Sequence, residues 1–130
     1  MKELEIEYRT ALGPHYSAAV IHGGMVYVSG QLAIDSATGK IVAGGIREHT
    51  WQALNNLKAV LARAKTDPSH VVQCRVYTSD LSNWEEINAV YREFFGNTRP
   101  ARTIVPTREL HYGSLVEIEA TAYLDTEVME

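Results

Sequence analysis

The chain has 130 residues, 45% hydrophobic and 22% charged, with 12 basic against 16 acidic side chains and a formal net charge of −4. That length fits one domain, 1–130, able to bury a core without staples, and the acidic balance argues against a nucleic-acid partner, which usually shows a basic stripe. The lone cysteine, Cys74, excludes an internal disulfide, and no window approaches 18 uninterrupted apolar residues, so the expectation is a cytoplasmic protein with no membrane span.

Residues 3–8 alternate, with Leu4, Ile6 and Tyr8 opposite Glu3, Glu5 and Glu7, which predicts an opening strand. A loop follows over 11–15. Residues 16–22 and 25–29 are β-rich runs separated by Gly23-Gly24, a strong hairpin signal because the primed turns need positive φ. Ser29-Gly30-Gln31 closes the second run, where a lone glycine marks a bulge or a close backbone approach. Residues 35–40 read as a turn-rich loop.

From 46 to 64 the period becomes helical, with Ala53, Leu54, Leu57, Val60, Leu61 and Ala64 at three- and four-residue steps, and Thr66-Asp67-Pro68 ends it. A central strand is expected over 70–78, with Cys74 an inert buried thiol on the face of Val72 and Val76. Ser82-Asn83-Trp84-Glu85 has the form of a capping box opening a second helix. That helix should bury Trp84, Ile87, Tyr91 and Phe94 and stop at Gly96.

Arg102 lies in a short β-rich run that ends at Pro106. Residues 115–124 alternate again: Val116, Ile118, Ala120, Ala122 and Leu124 make a core face, and Leu115, Glu117, Glu119, Thr121 and Tyr123 the other. The order β-β-β-α-β-α-β-β predicts an α+β domain, a mixed sheet with two helices on one face. Two helices cover only one face, yet Val26-Tyr27-Val28 and Val71-Val72 are apolar to both sides, so a homo-oligomer is expected.

Two acids in the middle of a good strand are unusual. If the runs 102–105 and 115–124 pair as neighbours, Arg102 and Glu117 face one pocket. A guanidinium that grips a carboxylate with two hydrogen bonds, beside an acid that moves protons, suits a small carboxylate substrate. The five histidines, His15, His22, His49, His70 and His111, are not spaced as ligand pairs, so no metal site is predicted. No Ser-His-Asp arrangement or phosphate loop is evident, and Gly44-Gly45 reads as plain loop.

These segments resemble the RidA/YjgF family, the reactive-intermediate deaminases also called L-PSP endoribonucleases. The resemblance runs through Gly13-Pro14, Val26-Tyr27-Val28-Ser29-Gly30-Gln31, Gln52-Ala53-Leu54-Asn55-Asn56-Leu57 and Asn88-Ala89-Val90-Tyr91. Its most specific part is Pro100-Ala101-Arg102-Thr103 followed by Leu115-Val116-Glu117-Ile118-Glu119-Ala120. It implies a chorismate-mutase-like fold, a homotrimer whose sheets form a central barrel, and sites in clefts between subunits. It implies hydrolysis of imine and enamine acids such as 2-iminobutanoate and 2-iminopropanoate to 2-keto acids and ammonia, with no metal or organic cofactor. On that resemblance Arg102 binds the substrate carboxylate and Glu117 positions water and shuttles protons. Tyr16, Gly30 and Asn88 lie near the pocket, and Thr103 and Ile104 complete it. Three features depart from the family pattern: His15 inserted before Tyr16, Ile104 where Cys or Thr is frequent, and His111-Tyr112 in place of Pro-Lys. Alternative readings are a ligand-binding regulator, a chaperone-like protein, or an endoribonuclease using Arg99, Arg102 and Arg108.

Overall fold

Alternation along the last strand decides which way the sheet faces. In a computed structural model, which describes residues 1–6 and 13–125, β1 (Lys2–Leu4), β2 (Ala19–His22) and β3 (Met25–Leu32) run as an antiparallel meander. A two-strand ladder, β4 (Ile34–Asp35) with β5 (Lys40–Ile41), precedes helix α1 (Ile46–Arg63). Strand β6 (Val71–Thr78), helix α2 (Trp84–Phe95), β7 (Ala101–Pro106) and β8 (Val116–Tyr123) complete the chain. The six-stranded sheet has the order β1-β2-β3-β8-β6-β7, with β6 and β7 parallel and the other pairs antiparallel. Among the described residues no helix is long and apolar enough to cross a membrane.

On β8 the even positions Val116, Ile118, Ala120 and Ala122 are buried, as period two requires. They meet Leu54, Leu57 and Leu61 of α1 and Ile87 and Val90 of α2 in one core, each of these five fully enclosed. Burying such a side chain contributes about 1.5–3 kcal/mol. The opposite face has no helix over it among the described residues, and Tyr27 and Tyr123 stand 49% and 41% exposed there.

Several expectations hold. Gly23 and Gly24 form the two-residue turn between β2 and β3 at φ 59° and 78°, and α1 matches its predicted span to one residue. Glu48 accepts the Gly45 N–H at 2.8 Å at the start of α1. A bulge interrupts β3 between Val28 and Gln31, at Gly30.

Others do not hold. The opening strand stops at Leu4, and Tyr8 and the start of the 11–15 loop lie outside the described residues. Strand β2 begins at Ala19, so Tyr16 stands half-exposed before it. The 35–40 loop carries the β4–β5 ladder, tied by Gly39 N–H to the Asp35 carbonyl at 2.8 Å. A register shift in β6 between Val71 and Gln73 puts Val71, not Val72, on the buried face with Cys74 and Val76, and leaves Val72 exposed. The capping box does not form: a 3-10 turn over Leu81–Asn83 precedes α2, and the Ser82 N–H donates to Asp80 Oδ1 at 2.9 Å. The buried stripe of α2 is Ile87, Val90, Tyr91 and Phe95, while Trp84 turns outward.

Candidate active site

Parallel pairing sets Arg102 opposite Cys74. Cys74 is fully buried on the helical side, so the Arg102 side chain leaves the sheet on that side too. There it meets α2, whose residues 84, 88 and 91 share one face at four- and three-residue steps. The guanidinium carbon lies 4.7 Å from the Tyr91 ring centroid and 5.5 Å from that of Trp84. Its Nη1 donates to Asn88 Oδ1 at 2.9 Å. Each such cation–π contact contributes about 0.5–2 kcal/mol and the charged hydrogen bond about 1.5–3 kcal/mol. Among the described residues no carboxylate pairs with Arg102. Its cation is oriented by two rings and a neutral amide, leaving donors free for an external anion.

Behind this cradle Cys74 is pushed up to about 11 by burial, against the pull of Tyr91 and Arg102, which makes it a poor nucleophile. Burial also raises the Tyr91 hydroxyl. That hydroxyl has no hydrogen-bond partner of good geometry; the Cys74 thiol raises it further and the Arg102 charge pulls it down. Thr103 points to the other face and is exposed, whereas Ile104 packs against the core.

Glu117 belongs to a second constellation. In register it opposes Tyr77 of β6 and Leu32 of β3, and Gly30 abuts it. A Cβ on Gly30 would lie 2.5 Å from Glu117 Oε2 and 2.9 Å from its carboxyl carbon. Gly30 is therefore what leaves the Glu117 carboxylate room in its present position, since its φ lies outside the positive region and does not itself call for glycine. Burial first, and then the charge of Glu119, raise the Glu117 carboxyl above the ordinary range, with His111 pulling the other way. Glu119 accepts the Tyr77 hydroxyl at 2.6 Å. Gly30 also lines a cleft of about 180 Å³ with Tyr16, Leu32, Ile34, Asn56 and Val60.

Thus Arg102 with Asn88 forms one group and Glu117 with Gly30 another, while Tyr16 sits in the cleft that Gly30 also lines. The expected pairing of 102–105 with 115–124 is corrected: β6 lies between β7 and β8, so within one chain Arg102 and Glu117 project to opposite faces. Neighbours in sequence order are not neighbours in the sheet, because β7 adds in parallel beyond β6. Sequence reasoning read Trp84 and Tyr91 only as core or interface packing, which holds for the buried Tyr91, and missed both as plates for Arg102. Their spacing with Asn88 on one helix face was the available signal.

Ser69, His70 and Asp125 come together as a triad in outline, with His70 Nε2 2.9 Å from Asp125 Oδ1 and Nδ1 3.0 Å from Ser69 Oγ. The Ser69 hydroxyl is committed to Asp67, however, leaving no free nucleophile. The group clasps the start of β6 to the end of β8. Among the described residues no group of three or more His, Cys, Asp or Glu could hold a metal ion.

The sequence matches the family described as endoribonuclease L-PSP over residues 8–124. It is 42% identical over 112 residues to a RutC family protein of Pyrococcus abyssi, covering 86% of this chain and 87% of that one. Identity to the 2-iminobutanoate/2-iminopropanoate deaminase of Bos taurus is 40% over 112 residues, covering 86% and 81%. The crystal structure of E. coli TdcF with bound serine matches with a TM-score of 0.86 at 31% identity, covering 96% of this chain and 100% of that one.

Proposed function

The chain belongs to the endoribonuclease L-PSP family, the RidA/YjgF proteins, and from that premise we propose that it hydrolyses small 2-imino and enamine acids to 2-keto acids and ammonia. The observation that carries this reading is Arg102, a cation fixed by Trp84, Tyr91 and Asn88 with no carboxylate of its own. A small α-carboxylate fits its free donors in two-pronged fashion. The bovine relative named as a deaminase, and the serine in TdcF, a small ligand that carries such a carboxylate, support the choice.

In this reading the substrate is an iminium whose C2 is electrophilic without help. Water attacks C2 while the Glu117 carboxylate takes one of its protons, giving a neutral carbinolamine. Glu117 returns that proton to the amino nitrogen. The C2–N bond then breaks, the oxygen lone pair closes the C=O bond, and the hydroxyl proton leaves with ammonia as ammonium. A carboxyl raised by burial and by Glu119 suits both directions of this transfer near neutral pH. Orientation supplies the rest.

Because Arg102 and Glu117 leave opposite faces of one sheet, we place the complete site between copies of the chain in a trimer. There Glu117, Gly30 and Tyr16 of one subunit meet Arg102, Asn88 and the backbone of Thr103 and Ile104 of another. The open face bearing Tyr27, Val72 and Tyr123 supports such burial.

The test couples a threonine dehydratase to the purified protein and follows 2-keto acid release against semicarbazide, which traps free imine. Wild type should speed release, and Arg102→Ala and Glu117→Gln should each abolish the gain. Mixing the two inactive variants with subunit exchange should restore part of it. No acceleration by wild type across several dehydratase substrates would sink the reading, and a solution mass of one 14.5 kDa chain would sink the shared site.

A further inference from the structure

Two residues other than glycine have positive φ among the described residues, Lys65 at 65° and Tyr112 at 59°. Lys65 sits just past α1, where a left-handed residue commonly terminates a helix. Tyr112 has no such reason. It lies in a 3-10 turn over His111–Gly113, and Gly113 follows it at φ 78°. A bulky residue in this region is an outlier, and outliers persist only where surrounding structure over-determines them.

Here the base of the turn is fastened on two sides. The buried Ser114 hydroxyl accepts the Ala33 N–H at 3.0 Å and donates to the Val116 carbonyl at 2.8 Å. The Leu115 N–H donates to Nδ1 of buried His49 on α1 at 3.0 Å. The ring of Tyr112 meanwhile lies 70% exposed, tilted 46° against His111 with centroids 3.8 Å apart. Nothing in the core is gained by holding it out.

Its position gives the ring a use. The turn feeds directly into β8, five residues before Glu117, and Leu32, opposite Glu117 in register, adjoins Ala33, which the turn grips. His111, on which the ring rests, lies within electrostatic reach of Glu117. Tyr112 is thus an outward aromatic at the rim of the Glu117 constellation, on a bolted turn.

We propose that Tyr112 is a specificity-determining residue: its ring, held outward by a left-handed backbone, contacts the substrate side chain and raises activity on aromatic 2-imino acids relative to the smallest ones. This rests on the deaminase reading above. The carboxylate end would be held by Arg102 and the reacting carbon by Glu117, so the side chain is the part left for the rim.

The experiment generates 2-imino acids from alanine, leucine and phenylalanine with an amino-acid oxidase, and measures kcat/KM from semicarbazide competition. Tyr112→Gly and Tyr112→Asn both accept a positive φ, so each removes the ring while keeping the turn, and Tyr112→Phe keeps the ring. The ratio of kcat/KM for the phenylalanine-derived over the alanine-derived imine should fall roughly tenfold in the first two, in the range of an apolar pocket contact, and stay unchanged in Tyr112→Phe. A merely structural role would lower both substrates together. Ratios equal to wild type in all three variants would overturn the proposal while leaving the deaminase reading standing. Wild type inactive on every imine would overturn that reading and this inference with it.

Discussion

Replacing Gly30 by Ala separates the catalytic from the structural use of one position. The added Cβ would sit 2.5 Å from Glu117 Oε2, and reaching the ordinary contact limit near 3.4 Å demands a displacement of about 0.9 Å. The backbone at Gly30 accepts alanine, so the flexible carboxylate moves instead, at an off-rotamer cost of about 0.5–1.5 kcal/mol. A misplacement near 1 Å in a group that must align with water lowers the rate roughly 100-fold, about 2.7 kcal/mol of barrier. Gly30→Ala should therefore melt within a few degrees of wild type while kcat/KM for 2-iminobutanoate falls by about two orders of magnitude. Gly23→Ala is the matched control: space there is open but φ is 59°, so it should lose stability and keep its activity. A Gly30→Ala protein with near-wild-type kcat/KM would refute the assignment of Glu117, since the carboxylate cannot stay where it is.

Other consequences are quickly checked. Glu119→Gln removes the charge that helps to raise Glu117, so the acidic limb of the pH–rate profile should move to lower pH; an unmoved limb would assign it to another group. The His70 ring is raised mainly by its hydrogen bond to Asp125, with a further contribution from Asp67. A raised histidine stabilises the fold fully below its unfolded value near 6.5 and loses that contribution as pH rises through the folded value. Melting at about pH 5.5 and about pH 8 should show the difference, and His70→Gln should flatten it. Cys74, buried and with its thiol at about 11, should resist iodoacetamide in the native protein and react on unfolding; rapid native labelling would show that the β6 core opens.

Where the sequence was readable, one rule governed both local structure and burial. Strand β8 alternates and so declares its core face, and the α1 stripe at 53, 54, 57, 60 and 61 is all buried. The glycines at 23–24 and 30 announced a turn and a bulge. The register shift in β6 was invisible, because either Val71 or Val72 fits the buried side and only the pairing with β8 decides between them. Trp84 misled for the same reason, since a large apolar ring serves a core or a guanidinium equally well. For the site, the residue types at Arg102 and Glu117 were evident from composition and motif. Their separation by β6 was not, because strand order is a property of the crossover through α2.

That crossover has a consequence for how the protein could be switched. Everything that grips Arg102 comes from one contiguous stretch, β6 through β7, and travels with it. If turnover needs a second copy to bring Glu117, as proposed above, a dissociated chain would remain a competent anion trap that performs no chemistry. Subunit concentration would then set flux, while occupancy by small carboxylates stayed nearly constant.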